Sequence, residues 1–473
     1  MPSFKESRRR FLKSSSLLLG ATAAPAVLLR PVNAAPALIT ADGARPKLAE
    51  GIQIGDVRTD RAVIWSRCDR PARLWVEYDF DENFADPVQV RGPFALDISD
   101  FTARVDLTGL PPGRKVHVRV MFQDLSNDRV MSEAVRGHFC TAPKRARHVR
   151  FLWAGDTAGQ GWGINPAFGG MKIYETMRLT TPDFFIHCGD TIYADGPIPE
   201  QVTAENGQTW NNIVTAEVAK VAETLAEFRG RYKYNLLDDN VRRFNAHVPQ
   251  IWQWDDHEVV NNWSDSKDLS SDARYTEKNV PLLIARGSRA FLEYAPLRSG
   301  GVEESERIYR HIPYGELLDV FVIDMRSYRA ANSANVQPVP GADTAFLGRR
   351  QLDWLKKSLK ASKAVWKVIA SDMPIGLVVR DGPSFFENVA NGDGPVLGRE
   401  FEIAELLRDI KRQCIENVVW FTADVHYCAA HHYDPDRAQF TDFEPFWEFV
   451  AGPLNAGSFG PSHLDNTFGP KVV

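Results

Sequence analysis

Cysteine is scarce in this 473-residue chain, and the five present follow no organising pattern. Cys68, Cys140, Cys188, Cys414 and Cys428 include no CxxC pair and no zinc-finger spacing. An odd number argues against a complete disulfide framework. Cys68 and Cys140 both fall in the N-terminal segment and could pair, with two buried thiols the expected state. A Gly-x-Ser-x-Gly elbow is missing, and so is a P-loop; the Gly-rich stretch 155–161 has neither the P-loop lysine nor dinucleotide-binding spacing. There is no internal repeat and no low-complexity tract. Excess positive charge is lacking too. The formal net charge is -5, and residues 1–34 hold six basic residues against one acid, which leaves the remainder near -10. That argues against general nucleic-acid or anionic-membrane binding through bulk charge. Beyond the N-terminus no segment is long and apolar enough to span a bilayer. With 44% hydrophobic and 25% charged residues, the composition is that of an ordinary globular protein of two domains or one large one.

The N-terminus is organised differently. Ser7-Arg8-Arg9-Arg10-Phe11-Leu12-Lys13 is followed by an apolar stretch over 17–29 and by small residues at 32–35. This is the layout of a twin-arginine signal peptide over residues 1–35, with the twin-arginine translocase as a transient partner and a periplasmic or secreted destination. A stable membrane anchor is the weaker reading, because the apolar stretch is short and is broken by Pro25 and Arg30.

Six bulky apolar runs stop at acids. Residues 150–154 run into Asp156, 183–188 into Asp190, 249–254 into Asp255 and Asp256, 317–323 into Asp324, 366–370 into Asp372, and 418–423 into Asp424. Such runs are expected to be strands buried on both faces. Ligands of open α/β sheets sit just beyond the carboxyl ends of strands, so one rim would gather acids, imidazoles and a phenol. That chemistry suits hard cations and a metal-dependent hydrolase. Helices are predicted over 168–179, 215–232, 347–359 and 398–412, and the polar stretch 201–212 as a surface insertion. Residues 45–142 predict a small all-β sandwich of the fibronectin III or Ig-like kind, with strands at 61–67, 73–78, 101–107 and 115–122, the second pairing with the first. A basic linker at 141–147 precedes the catalytic domain, 148–473.

Three motifs carry the chemistry. In Gly189-Asp190-Thr191-Ile192-Tyr193, Asp190 can bridge two cations and Tyr193 can reach the same site as a phenolate. The bland alternative is a strand-ending turn with a core tyrosine. In Asp255-Asp256-His257-Glu258, three acids around one histidine repel one another unless a cation relieves them. A solvated helix-capping loop is the alternative, but the adjoining Val259-Val260 is too apolar for it. Asp424-Val425-His426 can send two ligands to one metal, and Asp156 completes the set. His431 and His432 are expected to be surface histidines. The glycines of 155–161 are expected to let backbone pass close to the metals. Arg326 could clamp a substrate phosphate or pair with a carboxylate, with equal expectation.

Asp156, Gly-Asp-x-x-Tyr at 189–193, Asp-Asp-His-Glu at 255–258 and Asp-x-His at 424–426 resemble the calcineurin-like metallophosphoesterases, and more narrowly the PhoD-type alkaline phosphatase/phosphodiesterase family. Asn261-Asn262-Trp263, 324–329 and 347–355 match as well. The resemblance implies an α/β fold, a double-sheet sandwich flanked by helices and preceded by the all-β sandwich. It implies Asp190 as bridging ligand, with Asp156, Tyr193, Asp256, Asp424 and His426 as further ligands to iron and calcium, and His257 beside the scissile phosphate. It implies a metal-bound hydroxide as nucleophile on a small or polymeric phosphate ester. Two departures stand out: no Cys follows the first catalytic strand, and Asp372 occupies the place of a metal-binding His, which favours a harder cation such as calcium. The chain also stops, at Val473, where related proteins are expected to continue. The competing class is a non-enzymatic, calcium-stabilised cell-envelope binding protein, which the number of acids at one rim argues against.

Overall fold

The computed structural model describes residues 42–298 and 304–473; the proposed leader, 1–35, lies outside them. Residues 43–473 fold as one compact unit. Seven strands come first: β1 (Ile52–Gly55), β2 (Arg61–Arg67), β3 (Ala72–Asp79), β4 (Val88–Ala95), β5 (Thr102–Thr108), β6 (Lys115–Asp124) and β7 (Val135–Cys140). They form two layers, β1-β2-β5 and β4-β3-β6-β7. Strict alternation on β6 turns Val116, Val118, Val120 and Phe122 inward against Leu74, Val76, Ile54 and Ile64. The expected pairing of β3 with β2 is therefore corrected: β3 pairs with β4 and β6, and the connection 68–71 carries the chain from one layer to the other. Alternation alone fixes which side chains face the core, not which layer a strand joins.

The next strands are β8 (Phe151–Thr157), β9 (Phe184–Cys188), the short hairpin β10 (Gln201–Thr203) and β11 (Thr209–Asn211), β12 (Gln250–Gln253), β13 (Arg310–Pro313), β14 (Leu318–Val322), β15 (Trp366–Ala370), the two-residue β16 (Arg380–Asp381) and β17 (Phe385–Phe386), β18 (Val418–Thr422), β19 (Ala429–Tyr433), β20 (Phe446–Val450), β21 (Pro453–Asn455) and β22 (Pro470–Val472). One seven-stranded sheet has the order β21-β8-β9-β12-β1-β2-β5, so the first sandwich layer continues into it through Gly55 opposite Gln250. The other has the order β13-β14-β15-β18-β20-β19-β22. All six apolar runs are strands of these sheets.

Period-two burial explains the layering. Phe184 and Ile186 point toward Val320, Val322, Val368 and Ala370 of the facing sheet. Phe185 points the other way, toward the helices α1 (Lys172–Leu179), α2 (Leu225–Asn235), α3 (Asp239–His247) and α4 (Val280–Tyr294). Phe321 and Ile369 likewise face α5 (Arg349–Ala361) and α6 (Glu400–Arg412). Helix α2 starts ten residues later than the predicted 215, because Thr224 and Glu227 form a reciprocal capping box there. Helices α3 and α4 are additions to the sequence reading.

Candidate metal centre

The strand-end acids from both sheets meet at one rim. At Asp156 (φ 67°), Asp190 (φ 51°) and Asp424 (φ 67°) the backbone turns left-handed, as it does again at His426 (φ 60°). Non-glycine residues seldom hold this conformation, and such strain is of order 1–3 kcal/mol each. The same turn recurs just past the ends of β9 and β18 and, at Asp156, inside the last residues of β8, whose pairing continues to Thr157 opposite Asn455. Gly189 (φ 93°) precedes Asp190, and a Cβ there would lie 2.5 Å from that of Asp255. Only glycine lets the two acid loops approach this closely. Within 155–161, a Cβ on Gly159 would lie 2.5 Å from the Tyr193 ring, and one on Gly155 would lie 3.0 Å from the Ala423 Cβ and 3.1 Å from the Gly189 carbonyl oxygen.

Among the described residues, two groups of side chains could hold cations. Asp156, Asp190 and His426 offer ligand atoms within 4.8 Å of one another, and so do Asp190, Asp256 and His257. Asp190 belongs to both. The Tyr193 hydroxyl donates to Asp156 Oδ1 at 3.2 Å and lies 3.0 Å from His426 Nε2, which is 3.1 Å from the same Oδ1. His426 Nδ1 is held by the Gly457 carbonyl, which aims Nε2 at the group. Asp156 Oδ2, Asp190 Oδ2 and Asp256 Oδ1 are buried with no hydrogen-bond partner. Buried carboxylate oxygens are ordinarily satisfied, so orphaned oxygens aimed at common points fit cations. Burial pushes the Asp190 carboxyl well above its ordinary value, with Asp256, Asp156 and Glu258 adding to it against His257. A cation would reverse that shift.

His257 is built as a dyad. Its Nδ1 lies 2.7 Å from Asp195 Oδ1, and its Nε2 lies 3.8 Å from Asp256 Oδ1. Its backbone N–H donates to Asp190 Oδ1 at 3.2 Å, and its ring stacks on Tyr193 with centroids 4.2 Å apart. Burial lowers the imidazole's pKa, but Asp195, Asp256 and Asp190 more than reverse this and hold it well above the usual range. Asp195 Oδ2 accepts from the Asn261 N–H at 2.8 Å, which fixes the dyad to the following loop. Glu258 ties the two acid loops together: its carboxylate accepts from the Thr191 N–H and hydroxyl, each at 2.6 Å, and from the Asp255 N–H at 2.8 Å. Beside His257 opens a cleft of about 480 Å³, lined by Gln160, Tyr193, Asp195, Lys267 and Arg274 among others.

Arg326 does not present a free fork to substrate, and the clamp expectation is corrected. The residue is 1% exposed. Its Nε donates to Asp255 Oδ1 at 2.5 Å, one terminal nitrogen donates to Glu387, and Asp372 lies 3.6 Å away. Asp372 is fully buried on this arginine side, outside both ligand groups, and burial pushes its carboxyl up to about 6. Asp424 also lies outside the two groups. Burial, with repulsion from Glu387, Asp256 and Asp156, raises its carboxyl well above the usual range. His431 is not a surface residue: it is 1% exposed and pairs with Glu448 at 2.9 Å. All five cysteines are free thiols.

Sequence reasoning missed Asp195, the organising role of Glu258, and Glu387. Asp195 carries a faint signal, two residues beyond Tyr193 in the same motif. Glu387 carries none, since it sits in irregular chain between β17 and α6.

Comparison with known proteins agrees with this geometry. Residues 151–472 match the family described as PhoD-like phosphatase, and residues 33–143 match PhoD-like phosphatase, N-terminal domain. The chain is 27% identical to alkaline phosphatase D of Bacillus subtilis (strain 168), over 97% of this chain and 78% of that protein. Its fold is similar to the solved structure of PhoD, with a TM-score of 0.68 at 23% identity, covering 87% of this chain and 78% of that one. A purple acid phosphatase from yellow lupin (Lupinus luteus) seeds gives a TM-score of 0.55 at 13% identity, covering 90% of this chain and 68% of that one.

Proposed function

The chain belongs to the PhoD-like phosphatase family and is a phosphoester hydrolase, and from that premise we propose an exported enzyme that hydrolyses phosphomonoesters or phosphodiesters with water at a two-cation centre. The observation that carries this reading is the pair of ligand groups sharing Asp190, with three buried carboxylate oxygens left without partners. Asp156, Asp190, Tyr193, Asp256 and His426 would hold the ions, joined by Asp424 from outside the two groups, while His257, although it stands in the second group, is assigned to the leaving oxygen. The oxygen-rich donor set suits calcium, and the phenol of Tyr193 suits ferric iron. Bound cations would supply Lewis-acid charge at the phosphoryl oxygens and a low-pKa water as nucleophile.

The chain's own residues do the rest. Asp195 holds His257 by Nδ1, so Nε2 faces the centre and carries the proton for the leaving oxygen. Stacking on Tyr193 keeps the imidazole plane fixed. The cleft beside His257 receives the leaving group. Arg326 acts beneath the centre as counter-charge to Asp255 and Glu387, and Asp372 supports it. The division into leader 1–35, sandwich 45–142 and catalytic domain 148–473, and export by the twin-arginine translocase, belong to the same proposal. The described residues contain no helix long and apolar enough to cross a membrane. The test is Asp190→Asn in protein purified from its export route. Turnover of phosphate esters should vanish and bound metal should fall; full activity with unchanged metal would refute the bridging role.

A further inference from the structure

The sheet β4-β3-β6-β7 has one face in the sandwich core; among the described residues its other face is met at the β7 end, where His138 packs against His247 of α3 with ring centroids 4.8 Å apart, while the rows over β4, β3 and β6 face outward. Register places its outward side chains in rows. Phe94 stands opposite Arg73, Arg91 opposite Trp75, and Glu77 opposite Arg119, which stands opposite Arg136. Guanidiniums lie on rings throughout. Arg73 is 3.7 Å from the Phe94 centroid, Arg91 is 5.9 Å from Trp75, and Arg119 and Arg136 are 4.5 and 5.6 Å from Phe84. Glu77 is tied to Arg119 and accepts from Gln89 at 2.7 Å. Among the described residues, Arg73, Arg91 and Arg136 have no carboxylate and no hydrogen-bond acceptor in reach. Each is oriented by a ring while its N–H donors stay open to solvent. The acids Asp79, Asp81 and Glu82 stand at the far end, near His117.

We propose that this face binds a linear phosphodiester polyanion along its backbone. Away from the end that carries Asp79, Asp81 and Glu82, four arginines stand against Glu77 alone and make a local positive field on a chain whose bulk charge is negative. Arginine forks match phosphate oxygens two at a time, and a ring beneath each fork lowers the entropy lost on binding. Because the guanidiniums already cover Phe94 and Trp75, those rings offer little face for base stacking, so recognition is of phosphate and not of sequence. Binding here does not require the hydrolytic reading; the two fail separately.

The test uses the mature chain and two probes: fluorescein-labelled dT20 followed by anisotropy, and inorganic polyphosphate as competitor. With three phosphates engaged, the slope of log K against log[NaCl] is about -2, so tenfold more salt weakens binding roughly 100-fold. The triple variant Arg73→Gln/Arg91→Gln/Arg136→Gln should bind at least tenfold more weakly at low salt (about 50 mM, below the physiological range) with a slope near zero. Its p-nitrophenyl phosphate turnover should match wild type. The triple lysine variant should keep most of the slope, and Arg136→Gln alone should flatten it by about 0.7, which decides the matter if the triple variant misfolds. No binding by wild type, equal binding by the triple glutamine variant, or dT20 binding that polyphosphate cannot displace would each overturn the proposal.

Discussion

Replacing Arg326 separates two roles that a single kinetic constant would confuse. In Arg326→Gln a fully buried cation leaves a cluster holding Asp255, Glu387 and Asp372, with Asp256 3.8 Å away. Two hydrogen bonds to carboxylates disappear, each contributing about 1.5–3 kcal/mol. The acids left behind are buried without a counter-charge, and breaking such a pair costs about 3–5 kcal/mol. Burial already drives the Asp255 carboxyl well above its usual value despite Arg326. Protonation of Asp255 in the variant therefore offsets part of the loss, and the lower end, about 3 kcal/mol, is expected. For a folded unit spanning 43–473 the unfolding entropy is about 0.9 kcal/mol/K, so Tm falls by roughly 3 °C. The assay is a thermal melt in parallel with kinetics on a small phosphate ester. The protein should melt earlier, and the KM of the fraction still folded should stay within about threefold of wild type, since the guanidinium touches no substrate (a threefold change is only ~0.65 kcal/mol). A native Tm with KM raised tenfold or more would refute the counter-charge role and restore the phosphate clamp.

The remaining expectations concern other parts of the chain. His257→Ala should lose about 10²–10⁴-fold in turnover with metal content unchanged, and the loss should be smaller for nitrophenyl than for alkyl esters; equal losses on the two would exclude an acid role. Burial, with Lys115, His247, His117 and Arg178, holds His138 down at about 4, below its unfolded value near 6.5. The folded state then binds fewer protons between those values, so stability falls as pH drops from 6.5 toward 4. His138→Gln should show a shallower fall of Tm over that window, and parallel curves would contradict this. Arg8-Arg9→Lys-Lys should strand the protein in the cytoplasm, and unchanged export on fractionation would show the leader was misread.

The catalytic sheets were legible in the sequence because a strand buried on both faces is apolar at every position, and each run ends on an acid. Asp156, Asp190, Asp256 and His426, expected as ligands from those positions, stand in the two ligand groups, and so does His257, which the sequence reading kept for the leaving oxygen and outside the metal shell. What was not legible depends on contacts between distant segments. Glu387 meets Arg326 across 61 residues of mostly irregular chain, and no periodicity announces it. Arg326 itself reads identically as clamp or counter-charge until its neighbours are known. Strand β3 was recognised as a strand but assigned to the wrong layer, since its alternation is satisfied by either. Helix α2 has almost no amphipathic pattern, and six of its eleven residues are buried, among them Arg231 and Asn235; its start was set by a local cap.

The continuity of the first sheet has a kinetic consequence. Strand β12 near residue 250 takes its neighbour β1 from near residue 52, and β8 near residue 155 takes β21 from near residue 453. Pairings that span about 200 and 300 residues make a high-contact-order sheet, which closes slowly and only after long loops are brought together. A nascent chain that has emerged as far as β20 still lacks the strand that covers the β8 edge. The rim of acids is therefore assembled late, after nearly the whole polypeptide has been synthesised, and a cation that needs both groups around Asp190 finds them only in a finished molecule.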